Sequence, residues 1–374
     1  MNEALAHTPL FYWLALERVP GVGPISIARL IDAFSSPEKV FQASAKEIRS
    51  KARLSERVAE NIAGSRPNRE AILKEMEIIS KLGARVITRW DPEYPENLKE
   101  IYDPPAMLFV RGRFAAEDSK AVAVVGTRNP TRYGIELAET ITRDLVRAGI
   151  TIVSGLARGI DTAAHWTALR HGGRTIGVLG CGIDICYPKE NKDLVGEIEQ
   201  RGAVISEFRP QTPPLSTNFY RRNRIVSGLT KGTLVVEAAP RSGSLITAAH
   251  ALDQNREVFA LPGSVFNKRS WGPHHLLKQG AALVESAQDI IDILFSRKEA
   301  AAGPPSHVQI DYLEDLSETA RQVFEAIDVD PVHIDVLCEH LGIDAGRLSG
   351  VLLELELRGL IRQHPGKMFS RSAT

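Results

Sequence analysis

A short pattern of strand, glycine-containing turn and helix recurs through the middle of this 374-residue chain. Short runs rich in apolar and β-branched residues are each followed at once by a turn: Ala121–Val125, Ile150–Val153, Thr175–Leu179, Val204–Ser206, Thr233–Val236 and Val258–Leu261. Such alternation is typical of right-handed βαβ crossovers, and the apolar runs are typical of parallel strands covered on both faces. The sequence therefore predicts a doubly wound parallel sheet, a fold in which ligands bind at the carboxyl ends of the strands.

The turn after the first of these strands carries two arginines. Gly126 allows a tight turn, Arg128 and Arg132 supply full charges, and the next helix is expected from about Ile135. The start of that helix presents free N–H groups and the positive end of its dipole. These features predict a phosphate site. The alternative is an ordinary strand-to-helix turn with two solvated arginines.

Two later stretches lack acidic residues, in a protein whose Lys+Arg and Asp+Glu counts are both 46. The stretch between Phe208 and Val236 contains Arg209, Phe219, Tyr220, Arg221, Arg222, Asn223, Arg224 and Lys231, and the stretch Val258–Val284 contains Lys268, Arg269 and Lys278. Arginines pair with phosphate oxygens and aromatic faces stack on unpaired bases, so this composition favours single-stranded nucleic acid over a mononucleotide. One or two of these arginines are expected instead to hold the fold by pairing with Glu207, Glu237 or Asp161.

Two other segments place polar groups at expected helix starts. Asp161 stands just before Thr162-Ala-Ala-His165, a position that predicts a helix N-cap. Ser242, Gly243 and Ser244 open another helix, where two hydroxyls and free N–H groups suit either a cap or a phosphate.

The sequence lacks the usual signals for cofactors and metals. No Gly-x-Gly-x-x-Gly follows the first strand and no Gly-Lys-Ser/Thr occurs, which argues against NAD and against a P-loop NTPase. The histidines show no metal-ligand spacing, and the three cysteines match neither a disulfide framework nor a zinc site. We expect no cofactor and no metal. Because no signal peptide or membrane span is recognisable, we also expect a cytoplasmic protein.

Helical patterns flank the predicted sheet on both sides. Residues 1–83 are predicted to be helical, with the apolar helices Leu10–Val19 and Ile25–Phe34 joined by Pro20-Gly-Val-Gly-Pro24. This arrangement resembles a helix-hairpin-helix, or SAM-like, DNA-binding module, whose hairpin N–H groups face a phosphate. A tight corner used only for packing is the alternative.

Residues 84–297 are predicted to form the sheet domain, and 298–312 a linker of small residues and prolines. Residues 313–374 show three helical patterns and a hairpin with its turn at Pro365-Gly366, an arrangement that resembles a winged helix. Its third helix contains two basic residues, Arg347 and Arg358, and two acidic residues, Glu354 and Glu356. Because DNA reading needs polar or basic side chains there, protein contact or a structural role is at least as consistent.

Taken together, the central motifs resemble those of the DNA-processing protein A family, also called Smf. They occur in the order Val125-Gly-Thr-Arg128 with Tyr133-Gly134, Ser154-Gly-Leu-Ala-Arg-Gly-Ile-Asp161, Gly180-Cys-Gly-Ile-Asp184 with Tyr187-Pro-Lys189, Phe219 with Arg222-Asn-Arg-Ile225, Val236-Glu-Ala238, Ser242-Gly-Ser-Leu245 and Leu261-Pro-Gly263. The resemblance covers most of residues 85–295. It implies an extended Rossmann-like domain that binds single-stranded DNA without catalysing a reaction. It also implies that the protein protects DNA arriving in natural transformation, forms a homodimer and helps to load the RecA recombinase.

The resemblance implies roles for particular residues. Arg128 matches the phosphate-binding arginine of the first turn, Lys189 a basic member of the same pocket, and Phe219 the residue that contacts a base. The other DNA-binding positions are Gly155, Arg221, Arg222, Asn223, Arg224, Ser242, Gly243 and Ser244. Ser216 stands where some relatives carry a lysine, so the charge of the pocket is expected to depend more on Arg221 and Arg222.

Two other classes of function fit parts of the sequence. Related Rossmann-like folds hydrolyse nucleoside monophosphates, and Glu207, Glu237 and Asp161 are the carboxylates available for that reaction. The Pro-Gly-Gly-x-Gly-Thr signature of those enzymes is absent, however, and one nucleotide needs less than the basic, aromatic stretch provides. The third class is a structural adaptor whose helical domains bind other proteins.

Overall fold

The computed structural model describes residues 8–295, 316–328, 331–358, 360–364 and 366–371. The predicted linker at 298–312 and Pro365 of the predicted C-terminal turn lie outside the described residues. The described residues before 296 pack as one compact unit, and those after 315 form a second one.

Six helices open the described part of the first unit. They are α1 (Pro9–Glu17), α2 (Pro24–Phe34), α3 (Pro37–Gln42), α4 (Ala45–Ala52), α5 (Glu56–Ala63) and α6 (Arg69–Lys81). The two predicted helices around the Pro-Gly-Val-Gly-Pro hairpin are confirmed as α1 and α2, and Gly21 takes a positive φ of 84° in the turn between them. Phe11 and Ile72 share a buried cluster with Leu156 and Val204 of the sheet region, so these helices are packed directly on the sheet.

The sheet itself has nine strands among the described residues. They are β1 (Arg85–Thr88), β2 (Met107–Gly112), β3 (Ala121–Val125), β4 (Thr151–Ser154), β5 (Thr175–Val178), β6 (Ala203–Ser206), β7 (Gly232–Val235), β8 (Glu257–Ala260) and β9 (Ala282–Leu283). Strands β3 to β9 are parallel, in the order β6-β5-β4-β3-β7-β8-β9, and β2 and β1 extend the β6 edge in antiparallel pairing. The predicted doubly wound parallel sheet is confirmed, with an edge strand β9 that was not predicted.

The burial of β3 shows why its sequence forms the centre of the sheet. Ala121, Ala123 and Val125 join one buried cluster, while Val122 and Val124 join the cluster on the opposite face. Successive side chains of a strand point to opposite faces, so a strand covered by helices on both sides must be apolar at every position.

The connecting helices are α7 (Glu96–Lys99), α8 (Arg132–Arg147), α9 (Ile160–Arg170), α10 (Lys192–Arg201), α11 (Ser216–Gly228), α12 (Gly243–Asp253), α13 (Trp271–Lys278) and α14 (Ala287–Leu294). From β3 the chain proceeds outward through β4 and β5 to β6, and it then returns to β7 on the other side of β3. Strand order therefore reverses between β3 and β7. In open α/β sheets such a reversal leaves a crevice at the carboxyl ends of the strands, where ligands bind.

The second unit has the arrangement of a winged helix. It contains α15 (Glu318–Glu325), α16 (Ile334–Leu341), α17 (Ala345–Leu357), β10 (Val332–His333), β11 (Ile361–His364) and β12 (Met368–Arg371). Strand β12 pairs antiparallel with both β10 and β11, and the unit has a buried core of its own. The three predicted helices and the hairpin are confirmed, and the two-residue strand β10 was not predicted.

Candidate nucleic-acid interface

A cavity of about 400 Å³ lies at the reversal of strand order. Five segments form its walls: the turn after β3, the loop after β4, the loop after β7, helix α11 and the start of α12. Its lining includes Gly126, Arg128, Gly155, Asp161, Phe219, Arg222, Asn223, Arg241, Ser242, Gly243 and Ser244. The structure thus brings together eight of the eleven residues that the sequence analysis named, and we refer to this space as the switch-point cavity.

The turn after β3 is held by Glu237, which follows β7. The backbone N–H of Thr127 donates to the carbonyl of Glu237 at 2.7 Å. The Glu237 carboxylate accepts from the Thr131 backbone N–H at 2.8 Å and from its hydroxyl at 2.6 Å. Thr131 also caps α8, so this helix begins at Arg132 and the expected start near Ile135 is wrong. A turn with its backbone fixed in this way presents its side chains in one geometry.

Arg128 and Arg132 differ although both were predicted to charge this turn. Arg132 is exposed and pairs with Glu136 on its own helix at 2.7 Å. Arg128 is also exposed, but it borders the cavity and places its guanidinium 5.7 Å from the ring centre of Phe219. Of the two, Arg128 is therefore the arginine available to an anion in the cavity.

Arg222 forms part of the cavity floor and is only 4% exposed. Its Nη1 donates to the carbonyls of Gly155 and Val178, which stand at the carboxyl ends of β4 and β5. Its Nε donates to Asn223 Oδ1 at 3.2 Å. Burial lowers the pKa of Arg222 to about 10, so the side chain remains charged at neutral pH. A Cβ on Gly155 would lie 2.6 Å from Nη1, which explains the glycine at this position.

Asp161 does not act as the predicted N-cap. Helix α9 begins at Ile160, two residues before the start at Thr162 that a cap at Asp161 implies, and Asp161 lies within its first turn. Its carboxylate accepts from the backbone N–H groups of Gly155 at 3.1 Å and Ala157 at 3.3 Å. Burial raises the pKa of Asp161, while the nearby Arg222 lowers it. The side chain thus holds the loop between β4 and α9, a role that depends on the bend of that loop and left no signal in the sequence.

An aromatic pair lies at the border of the cavity: Phe219 lines it, and Tyr187 lines the small recess beside it. The rings of Phe219 and Tyr187 lie 5.5 Å apart with 36° between their planes. The ring of Phe219 is half-buried, with the guanidinium groups of Arg128 and Arg222 each 5.7 Å from its centre. Tyr187 is 41% exposed. Tyr187 was not among the predicted DNA-binding residues. An aromatic residue in a loop that follows a strand could have indicated a ring that stacks on a base.

The start of α12 faces the cavity with N–H groups and hydroxyls. Ser242 caps the helix by accepting from the Ser244 backbone N–H at 3.4 Å, and the two hydroxyls lie 2.8 Å apart. The carbonyl of Gly243 accepts from Asn223 Nδ2 at 3.1 Å, which fixes the helix start against α11. Arg241 is exposed beside these groups and was missed from the sequence. The acid-free stretch around it, from 238 to 252, could have indicated it.

Arg224 lies elsewhere in the structure. It is 5% exposed and pairs with Glu207 at 2.6 Å and with Asp103 at 3.0 Å. It has the fold-holding role that the sequence analysis offered as the alternative. The neighbouring Arg221 is exposed, lies 3.7 Å from Glu207 and places its guanidinium 5.4 Å from the ring centre of Phe208. Neither arginine lines the switch-point cavity.

Lys189 and Ser216 also lie outside the lining of this cavity. Lys189 is exposed at the start of a short 3-10 turn, directly after Pro188. Pro188, Tyr187 and Arg158 border a small recess next to the cavity, and Arg158 pairs with Glu190. Ser216 is exposed at the first position of α11.

The switch-point cavity is cationic. Arg128, Arg222 and Arg241 face a single carboxylate, Asp161, within its lining. Within the described residues, no group of three or more His, Cys, Asp and Glu side chains is placed to hold a metal ion. Likewise, none of the described helices is long and apolar enough to cross a membrane.

Comparison with known proteins places the chain in a family. Residues 85–295 match the family described as DNA recombination-mediator protein A, and residues 311–367 match the DprA winged helix domain. The chain is 34% identical to Protein Smf of Synechocystis, over 98% of this chain and 100% of that protein. It belongs to the DNA-processing protein A family.

Other family members show the same relationship. The DNA processing protein DprA of Bacillus subtilis is 44% identical over 58% of this chain and 73% of its own length. Among solved structures, DprA of Streptococcus pneumoniae superimposes with a TM-score of 0.66 at 37% identity, over 77% of this chain and 98% of that one. DprA of Helicobacter pylori, whose structure was described for its single-stranded DNA binding mode, gives a TM-score of 0.51 at 30% identity, over 57% and 96%.

Proposed function

We propose that this protein binds single-stranded DNA in the switch-point cavity and does so without catalysing a reaction. One observation carries the proposal: exposed arginine charges, a helix start and the ring of Phe219 lie in a single cavity, and the ring of Tyr187 lies beside Phe219 in the adjoining recess. Arg128 and Arg241 supply the charges, and the start of α12 adds N–H groups. Cations and helix N-termini bind phosphate, and aromatic faces stack on unpaired bases.

The arrangement favours a strand over a duplex. Rings can stack only on bases that are unpaired and turned towards the protein. Phe219 provides such a face in the cavity and Tyr187 provides one in the adjoining recess, while Arg128, Arg241 and the start of α12 line the same cavity. We assign the phosphates to Arg128, Arg241 and the Ser242–Ser244 segment, and a base to the Phe219–Tyr187 pair. The related protein of Helicobacter pylori, whose structure was described for its single-stranded DNA binding mode, supports a single strand as the ligand.

The three carboxylates available to a hydrolase are all engaged by the fold. Glu237 accepts from Thr131, Asp161 accepts from the loop after β4, and Glu207 pairs with Arg224. A general acid or base must reach its substrate by a hydrogen bond. Because Glu237 and Asp161 each hold a turn or loop and Glu207 lies outside the lining of the switch-point cavity, we favour binding over nucleotide hydrolysis.

Binding and hydrolysis can be separated in one experiment. The purified protein is mixed with fluorescently labelled oligo-dT, and in parallel with AMP. We expect a rise in anisotropy with oligo-dT that weakens steeply as salt is added, because phosphate contacts release counterions. Release of adenine from AMP would establish the hydrolase. The adaptor alternative would be supported if the protein neither retained oligo-dT at low salt nor released the base.

Family membership supports a further part of the proposal. The bound strand would be DNA taken up in natural transformation, held in the cytoplasm by a homodimer and transferred to the RecA recombinase. This predicts that RecA assembles faster on strands covered by a single-strand binding protein when the DprA-family protein is present. A matched reaction with the Arg128→Ala variant is the control, and equal assembly rates in both reactions would contradict the RecA role.

A further inference from the structure

A second cavity, of about 310 Å³, lies between the N-terminal helices and the sheet. Its apolar walls include Val22, Ile27, Met107 and Phe208, and two carboxylates, Glu17 and Glu207, face into it. Glu17 is the last residue of α1, and Glu207 directly follows β6. The cavity is therefore closed by the Pro-Gly-Val-Gly-Pro hairpin on one side and by the sheet on the other. We refer to it as the hairpin cavity.

Both carboxylates carry an oxygen that lacks a partner. Glu207 is 7% exposed, and its Oε2 accepts from Arg224 at 2.6 Å. Its Oε1 and the Oε2 of Glu17 are buried without a hydrogen-bond partner among the described residues. Buried acceptors are normally satisfied, so two unsatisfied acceptors on residues that line one cavity indicate a ligand that brings N–H donors.

The hairpin cavity is adjacent to the proposed DNA site through α11. Asn218 and Arg221 of this helix line the hairpin cavity, whereas Phe219 and Arg222 line the switch-point cavity. One helix thus separates the two spaces. A strand held by its phosphates at the first cavity can place a neighbouring nucleotide at the second, where Arg209 and Arg221 provide positive charge.

The charges in and around the hairpin cavity restrict the ligand. Arg209 and Arg221 line the cavity together with the two carboxylates. Arg224 pairs with Glu207 but does not line the cavity. A metal ion or a cationic side chain would be repelled by these arginines. A neutral, planar ring with N–H donors on one edge would satisfy the two carboxylates, and a phosphate attached to that ring would pair with the arginines. Guanine carries the N1–H and N2–H donors side by side on one edge, which suits a carboxylate.

We propose that the hairpin cavity binds the guanine base of a nucleotide, with its N–H edge donated to Glu207 and Glu17 and its phosphate near Arg221. The raised pKa values of both carboxylates, caused first by burial, are consistent with groups that lack donors. The base comes either from DNA or from a free guanine nucleotide. The DNA source rests on the proposed function, whereas the recognition chemistry is the same for both.

The test compares oligo-dT with oligonucleotides of equal length that carry a single central dG, dA or dC. Anisotropy titrations give, for each protein, the ratio of the oligo-dT and substituted-oligonucleotide dissociation constants. We expect the natural protein to prefer the dG strand by about 5- to 100-fold. Glu17→Gln and Glu207→Gln should each abolish this preference, because the amide is uncharged and replaces one carboxylate oxygen with an NH2 group, which cannot accept from the base. Glu56→Gln, at an exposed carboxylate on α5, is the matched control.

Free dGMP, titrated into the protein and followed by calorimetry, separates the two sources. Binding of dGMP without a dG preference in DNA assigns the cavity to free guanine nucleotides. Absence of both overturns the proposal. A protein that binds dGMP but no oligonucleotide would refute single-stranded DNA binding and leave the guanine site standing. Glu207→Gln removes a buried ion pair, so thermal unfolding is measured first, and Glu17→Gln decides the result if that variant fails to fold.

Discussion

Arg128 is the residue whose charge is most directly available to a phosphate in the switch-point cavity. Replacing it with alanine removes about one phosphate contact, so the slope of log Kd against log salt should fall by about one unit. Titrations of oligo-dT at several salt concentrations measure this slope. Arg132→Ala is the matched control, because Arg132 lies on the same turn but pairs with Glu136. Equal slopes for the Arg128 variant and the natural protein would remove Arg128 from the site.

Substitution of Phe219 tests whether an aromatic ring of the site stacks on a base. If its ring stacks on a base, Phe219→Ala should weaken oligo-dT binding by about 1–3 kcal/mol. The adjacent Tyr220 contacts His250 edge-on and lies outside the cavity lining, so Tyr220→Ala is the control. Thermal unfolding of both variants is compared as well, because the Phe219 ring packs against Gly180. A loss well below that range, in a folded variant, would show that the ring serves packing alone.

Glu17 should make the stability of the protein depend on pH. Burial raises the pKa of Glu17 from 4.5 to about 7; Arg209 lowers it and Glu75 raises it. Between these two values the folded protein binds more protons than the unfolded chain, so stability falls as pH rises through this window. Glu17→Gln should therefore gain about 1–3 kcal/mol relative to the natural protein at pH 8 and little at pH 5. Denaturant unfolding at both pH values measures the difference, and an effect independent of pH would contradict it.

At the scale of elements, the turn between β3 and α8 depends on a carboxylate from beyond β7. Glu237→Ala would leave the Thr131 backbone N–H without its acceptor, at a cost of about 1–3 kcal/mol in unfolding free energy. The looser turn should also weaken oligo-dT binding, since it positions Arg128. Glu136→Ala, which removes only the exposed pair with Arg132, is the control. Lower stability with unchanged affinity would show that the turn needs no such support.

The elements were more predictable than the contacts between them. Every predicted strand formed to within one or two residues, because apolar β-branched runs between turns are a local signal. The two-residue strands β9 and β10 are too short for any periodicity to appear. The start of α8 was placed three residues late, because the cap at Thr131 was not recognised. Asp161 was assigned to a cap for the opposite reason: a local preference was overridden by the bend of the preceding loop.

At the scale of the whole molecule, we expect the first unit to bind single-stranded DNA without the second unit. The switch-point cavity and the hairpin cavity both lie in the described residues before 296, and the second unit has its own buried core. Deleting residues 300–374 should therefore leave oligo-dT affinity largely intact. Anisotropy titrations of the truncated and full-length proteins measure this, with circular dichroism to confirm folding. A collapse of affinity in a folded truncated protein would refute the modular arrangement of domains.

The amino-acid sequence alone determined the parallel sheet, the flanking helical regions and the edge of the sheet where the candidate site lies. Hydrophobic periodicity and turn residues depend only on positions that are close together in the sequence, so they can be recognised from the sequence alone. Only the tertiary structure decided what each arginine of Arg221, Arg222 and Arg224 does. Successive residues of a helix are turned by about 100°, so Arg222 enters the cavity floor while Arg224 reaches Glu207 and Asp103 on other segments. Charge pairing depends on which segments the fold brings together, and that information is not local.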